Sequence, residues 1–195
     1  CVHPDQLAPV NAAYLPSEEE LARAGRIVAA FREAEATGAA AIQVEIDLET
    51  GKIQMVDYLG VTDCGTVIHP IGLGAQMRSG ASQGFGMALH EKFIYDPQNG
   101  LPMNSGFHEG KVPSYLDEPL TTNWAPVAKA DPQSPFGSRG VGEPAQGCAA
   151  AAVCSAVADA LGGKLLNRTP ILPDMIINAA AGRPQSTKPL QINVQ

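Results

Sequence analysis

Apolar positions recur along this chain with two different periods, and the change from one to the other marks its elements. Leu21, Ala24, Ile27, Val28 and Phe31 stand three or four apart, which predicts an amphipathic helix over 17–37. Ser17 with Glu20 supplies a capping box at its start, and Gly38 after Thr37 supplies a stop. From Ala40 the period drops to two: Ile42, Val44, Ile46 and Leu48 alternate with Gln43, Glu45 and Asp47, and Glu49-Thr50-Gly51 turns the chain into a second strand over 53–61. A β-hairpin is expected there. A helical pattern returns over 75–93, interrupted by Gly80, Gly84 and Gly86. Each glycine costs about 1 kcal/mol relative to alanine in a helix, so something must approach this backbone closely, a ligand or a second helix.

After a turn at 96–100, the prolines at 102, 113, 119, 126, 132 and 135 forbid long helices, so short strands and loops are expected up to 135. The segment over 145–161 carries small apolar residues on nearly every face and stops at Gly162-Gly163, the pattern of a buried helix. A short helix follows over 169–181, begun by Pro170 or Pro173. The fold class is therefore mixed α/β, a hairpin and short strands with three main helices at 17–37, 73–92 and 144–161. Residues 1–16 read as an extended lead-in, 17–182 as the domain, and 183–195 as a polar tail, disordered or an arm on a partner.

Composition narrows the function. The 195 residues carry a formal net charge of −7 with no run of lysine or arginine, which excludes an electrostatic partnership with nucleic acid or an anionic membrane. No apolar stretch is long enough for membrane insertion. Cys1, Cys64, Cys148 and Cys154 lack the spacing of a zinc or iron–sulfur site and fit reduced thiols, so an intracellular, cytoplasmic setting is expected. His3, His69, His90 and His108 share no ligand spacing either, and no protein metal ligand is assigned. Glu18-Glu19-Glu20 suits a helix dipole better than a metal. Trp124, in a proline-rich stretch expected to be loop, either lines a pocket or anchors a partner. Starting at Cys1, the chain is expected to be a trimmed product or a fragment of something longer.

The clearest candidate for chemistry is Glu143, in Ser138-Arg139-Gly140-Val141-Gly142-Glu143-Pro144. Two glycines clear the space before it, Pro144 biases it toward extended backbone and suits the first position of a helix, and an apolar helix runs behind it. Such a carboxylate has two uses, a base aimed at a bound group or a cap for free N–H groups, and spacing alone favours the cap.

Several segments in order tip this balance. Val44-Glu45-Ile46-Asp47-Leu48-Glu49-Thr50-Gly51, Asp63-Cys64-Gly65-Thr66-Val67-Ile68-His69-Pro70, Gly74-Ala75-Gln76, Ser82-Gln83-Gly84-Phe85-Gly86 and Pro135-Phe136-Gly137-Ser138-Arg139-Gly140-Val141-Gly142-Glu143-Pro144 together resemble the C-terminal part of the molybdopterin-binding subunit of the xanthine oxidase and aldehyde oxidoreductase family of molybdenum hydroxylases. The resemblance implies that Glu143 takes a proton from a metal-bound hydroxyl, that the activated oxygen attacks an electrophilic carbon, and that electrons leave through iron–sulfur clusters to flavin or another acceptor. It implies molybdopterin as cofactor, with the cytosine dinucleotide form as one option. Gln83, Gly84 and Gly86 correspond to a pterin-binding segment, and Arg139, Gly140, Val141 and Gly142 to a turn whose backbone N–H groups face the cofactor. Glycines let backbone reach a bulky ligand, and an amide side chain both donates and accepts.

The chain departs from the family pattern at His69, where asparagine is usual, at Arg78, where glycine is favoured and a solvent-facing side chain is expected, and at Ser138-Arg139, in place of alanine-lysine. It also matches only part of a longer subunit. The resemblance thus implies partners: a chain carrying the other half of the molybdenum subunit, an iron–sulfur subunit and a flavin subunit with FAD. Activity would require all of them. Aldehydes, purines and N-heteroaromatic compounds are all open as the small-molecule substrate, as is a hydratase-like outcome. The alternative role is a non-catalytic scaffold that stabilises a partner molybdenum subunit.

Overall fold

In the computed structural model the described residues are 38–127, 129–166 and 168–185. The expected helix at 17–37, the lead-in and most of the tail lie outside them. The described residues form three strands and three helices, so the mixed α/β class is observed.

The hairpin is where alternation puts it. Strand β1 (Gly38–Ile46) pairs antiparallel with β2 (Ile53–Thr62), Ile46 opposite Ile53 and Ala40 opposite Gly60, with a bulge between Gln43 and Val44. Leu48, expected in the first strand, falls in the turn instead. Asp47 ends the strand by accepting the N–H of Glu49 at 2.9 Å and the hydroxyl of Thr50 at 2.7 Å, which folds the chain back locally. Gly51 then takes a φ of +72° and packs its Cα face against the backbone of Pro173, where no Cβ would fit.

Strand β3 (Thr121–Pro126) adds parallel to β2, giving the order β1-β2-β3. It arises from the proline-rich stretch expected to be mostly loop. Its proline is the final residue, where a missing N–H ends the ladder at little cost. Trp124 is therefore a strand residue, not a loop residue: it is 6% exposed, and its indole lies where a side chain on Gly74 would be.

Helix α1 (Pro70–Leu89) starts earlier than the apolar pattern indicates. His69 is the cause, because its Nδ1 accepts the N–H of Gly72 at 2.7 Å and Pro70 occupies the first helical position. Helix α2 (Pro144–Ala160) and helix α3 (Pro173–Ala180) follow, and the Thr169–Pro170 peptide bond between them is cis. α2 closes with Gly162 and Gly163 both at positive φ, as its sequence implies.

α1 and α2 cross against each other and against one sheet face. A Cβ on Gly80 would stand 2.7 Å from Cβ of Ala145, and one on Gly84 would meet Gln146 O and Ala149 Cβ. The glycines of α1 thus permit close helix–helix approach. Between helices and sheet lies the main core, with Met55 and Tyr58 from β2, Ala81, Phe85 and Ala88 from α1, and Ala149, Val153 and Val157 from α2. Tyr58 meets Phe85 edge to face, ring centroids 5.2 Å apart. A smaller cluster of Cys64, Leu73, Met77, Trp124 and Ala145, with Val67 and Val141 packed on it, lies at the ends of β2 and β3. Contrary to the expectation of a helix buried all round, α2 buries Ala145, Ala149, Val153 and Val157 on one stripe and exposes Gly147, Ala151, Ser155 and Asp159 on another. Sheet and α1 cover only one of its sides.

Candidate functional site

The site grows from the end of β2. Asp63 accepts the N–H of Gly65 at 3.1 Å, and Gly65, at φ +65°, bends the chain away from the sheet. A side chain there would collide with Gly137 O. That closeness lets Gly65 and Ser138 form an antiparallel bridge, flanked by Thr66 N–H to Gly137 O at 2.7 Å and Arg139 N–H to Cys64 O at 2.7 Å. The segment before Glu143 is thereby stitched to the end of β2.

Arg139 adds a side-chain lock. Its Nη1 donates to Asp63 Oδ2 at 2.7 Å and its Nε to Asp131 Oδ2 at 2.9 Å. The backbone N–H of Gln133 and the Arg139 guanidinium hold the Asp131 carboxyl below the usual carboxylate range, and Asp131 and Asp63 in turn raise the Arg139 pKa. Since the N–H of Arg139 is already donated to Cys64, the expected cofactor-facing run of N–H groups shortens to 140–142. Among the described residues these three N–H groups have no acceptor.

Glu143 occupies the N-cap position of α2 with Pro144 behind it, as expected, but not in an extended conformation. Its φ of −74° and ψ of −14° are helical, because its carbonyl already accepts the N–H of Gln146 at 2.9 Å. Its side chain makes no capping hydrogen bond and is exposed. Next to this turn opens a cleft of about 280 Å³, lined by Cys64, Thr66, Val67, His69, Leu73, Gln76, Arg139 and Val141 among others. Burial pushes the Cys64 thiol up, so it is a protonated wall residue rather than a nucleophile.

The other candidates lie along α1. Gln83 is exposed, its Nε2 3.4 Å from Ser79 Oγ. Gly84 is buried against α2, and Gly86 is covered by Glu91 and Pro113, so both have packing reasons within the chain. Gln76, seven positions before Gln83 and hence on the same helix face about 10 Å away, lines the cleft, a role not assigned to it in the sequence although Gly74-Ala75-Gln76 is one of the segments that carry the resemblance. Its i, i+7 relation to Gln83 was the available signal. Gly80 lies between the two glutamines and packs against Ala145 in the first turn of α2. Arg78 is exposed, in line with the solvent-facing expectation. Asp63 opens one of the segments that carry the family resemblance, but neither its role nor that of Asp131 was marked in the sequence. No group of three metal-ligating side chains occurs among the described residues, and none of their helices is long and apolar enough to cross a membrane.

The molybdopterin cofactor-binding domain family matches residues 10–119, more than half of the chain. This chain belongs to that family. It is 32% identical over 146 residues to the 6-hydroxypseudooxynicotine dehydrogenase complex subunit gamma of Paenarthrobacter nicotinovorans, a match covering 74% of this chain and 18% of that relative. It is 33% identical over 147 residues to the nicotine 6-hydroxylase large subunit of the same organism, again covering 74% and 18%. The structure of quinoline 2-oxidoreductase from Pseudomonas putida 86 superposes with a TM-score of 0.66 at 35% identity, covering 72% of this chain and 18% of that one. The chain thus spans about a fifth of the length of these relatives. Its fold is that of a molybdopterin-binding domain of the molybdenum hydroxylases.

Proposed function

We propose that this chain contributes the general base and part of the cofactor cradle to a molybdenum hydroxylase, with Glu143 as the proton acceptor. One observation carries this reading. Gly140 and Gly142 have no positive φ, and a Cβ on either would meet no atom within 4 Å, so nothing among the described residues requires glycine there. Together with three N–H groups lacking acceptors and a carboxylate that does not cap its helix, they form a turn that faces outward. Bare backbone donors beside an acid suit a bulky, polar, oxygen-rich ligand.

When bound, molybdopterin supplies a redox-active Lewis acid that acidifies a water molecule and takes up electrons. Glu143 would receive the proton of that oxygen nucleophile, a transfer that a carboxylate within hydrogen-bond reach can make. The N–H groups of Gly140, Val141 and Gly142 hold the cofactor's polar edge, and Gln83 offers a donor and an acceptor from the exposed face of α1. Gly84 and Gly86, whose Cβ positions are filled by the chain itself, contribute by letting α1 seat closely rather than by side-chain-free contact alone.

Partners follow from length: the rest of the molybdenum subunit, in the same or another chain, and iron–sulfur and flavin subunits that carry electrons away. The cytosine dinucleotide form of the cofactor is compatible with this arrangement. Nitrogen heteroaromatics are the substrate class we favour over purines and aldehydes, a reading supported by relatives named for nicotine and quinoline. The Cys64 and Cys154 thiols, in no disulfide among the described residues, suit a reducing compartment such as the cytoplasm.

Glu143→Gln in the assembled enzyme tests the assignment. The expected result is a loss of turnover of about 10²- to 10⁴-fold with molybdenum and pterin content unchanged. Full turnover in that variant would leave only the scaffold role.

A further inference from the structure

We propose that Arg139 is a positioning residue whose guanidinium, by bridging Asp63 and Asp131, fixes the turn that aims Glu143; the proposal rests on the role given to Glu143 above. Three chain segments meet at this side chain. Asp63 belongs to the end of β2, Asp131 to the loop after β3, and Arg139 itself opens the glycine turn. The two carboxylates are contacted through different edges of the guanidinium, Nη1 at 2.7 Å and Nε at 2.9 Å. A lysine ammonium is a single point on a flexible stem and has no such pair of divergent, planar donors, so the bridge is specific to arginine.

The turn needs this lock because it has little else. Beyond Arg139 the segment Gly140-Val141-Gly142 makes no backbone hydrogen bond among the described residues, and a Cβ on either glycine would meet no atom within 4 Å. Only the Val141 side chain touches the smaller core cluster. Glu143 is therefore held from behind by α2, through its carbonyl and Gln146, and from in front by whatever fixes residue 139. Two glycines in four residues allow wide backbone motion once that front anchor is lost. A displacement of about 1 Å at a proton-transfer group is enough to cost on the order of a hundredfold in rate.

The test uses the assembled, cofactor-loaded enzyme with Arg139→Lys, Arg139→Gln and Asp131→Asn, each read by amide hydrogen exchange over 64–66 and 137–142 and by separate kcat and KM values. Arg139→Lys and Arg139→Gln are expected to speed exchange of the Arg139 and Thr66 amides by about tenfold or more. In the same variants kcat is expected to fall about a hundredfold, with KM and molybdenum content at wild-type values, and Asp131→Asn gives a smaller change in the same direction. Unchanged exchange in both arginine variants overturns the clamp. Faster exchange with wild-type kcat overturns its positioning role, and loss of cofactor from Arg139→Lys replaces it with a binding role. Should Arg139→Gln fail to assemble, Arg139→Lys and Asp131→Asn carry the comparison. A fully active Glu143→Gln enzyme removes the base assignment, and the exchange data still decide separately whether the clamp holds the turn.

Discussion

Tyr58 is fully buried, yet its hydroxyl has no hydrogen-bond partner among the described residues. Burial pushes its pKa well above the usual phenol range, with the neighbouring Cys148 adding to the rise, so the group stays neutral and simply unsatisfied. Tyr58→Phe keeps the edge contact with Phe85 and removes the orphan, so it should stabilise the chain by about 1 kcal/mol in denaturant unfolding. A loss of stability would point to a partner for the hydroxyl. Asp117 shows the opposite case. Burial raises its pKa, but hydrogen bonds from Lys111 and Ser114 outweigh this and bring it well below the carboxylate range. A carboxyl depressed in the folded state stabilises fully above its unfolded value of 3.8 and loses that contribution as pH falls toward its folded value. Asp117→Asn should therefore loosen the 111–117 loop at neutral pH, seen as faster exchange of the Ser114 amide, and the difference from wild type should shrink only in strong acid. At this scale the sequence made Glu143 legible as an N-cap position, because Pro144 marks a helix start. It could not show Asp63 and Asp131 converging on Arg139, since their meeting depends on tertiary approach.

The elements divide along the same line between local and distant causes. The hairpin could be read from alternation and from the Asp47–Gly51 turn, whose bonds are all local. The start of α1 could have been read from His69-Pro70, but the apolar pattern drew attention further along. Strand β3 was hidden because its pairing with β2 is parallel and remote, and no short-range signal announces such a ladder. Glycine spacing in α1 left two explanations open, and the structure assigns Gly80 and Gly84 to helix contact. Gly84→Ala should consequently destabilise by about 1–3 kcal/mol, since the added methyl meets Gln146 O of α2 and forces the helices apart. Gly147→Ala, at a helical position with nothing within 4 Å, should instead stabilise by about 0.5–1 kcal/mol through helix propensity alone. Thermal melts of the two variants should move in opposite directions; stabilisation of both would mean that propensity, not contact, governs Gly84.

At the scale of the molecule, the segment between α1 and β3 exposes many large apolar side chains among the described residues. Phe93, Tyr95, Leu101, Met103, Leu116 and Leu120 are exposed, with Phe107 at 86% and Tyr115 at 92%. Phe93 and Tyr95 stack on each other there, ring centroids 6.2 Å apart. A surface of this kind is rare on a free-standing monomer, and it agrees with a chain about a fifth as long as its relatives. Isolated, the chain should self-associate and bind an apolar dye, and adding the remaining part of the molybdenum subunit should suppress both in size-exclusion and fluorescence measurements. A monodisperse, dye-silent chain would remove the need for that partner. The bridge between Gly65 and Ser138 has a temporal consequence. A ribosome that has delivered β1, β2 and α1 has made a hairpin and a helix but no acid-bearing turn, because one wall of that turn is synthesised long before the other. Closing so long a loop is slow compared with forming the hairpin. The turn that bears Glu143 therefore closes only after the late segment is made, and a nascent chain halted ahead of it would hold the hairpin and α1 without that turn.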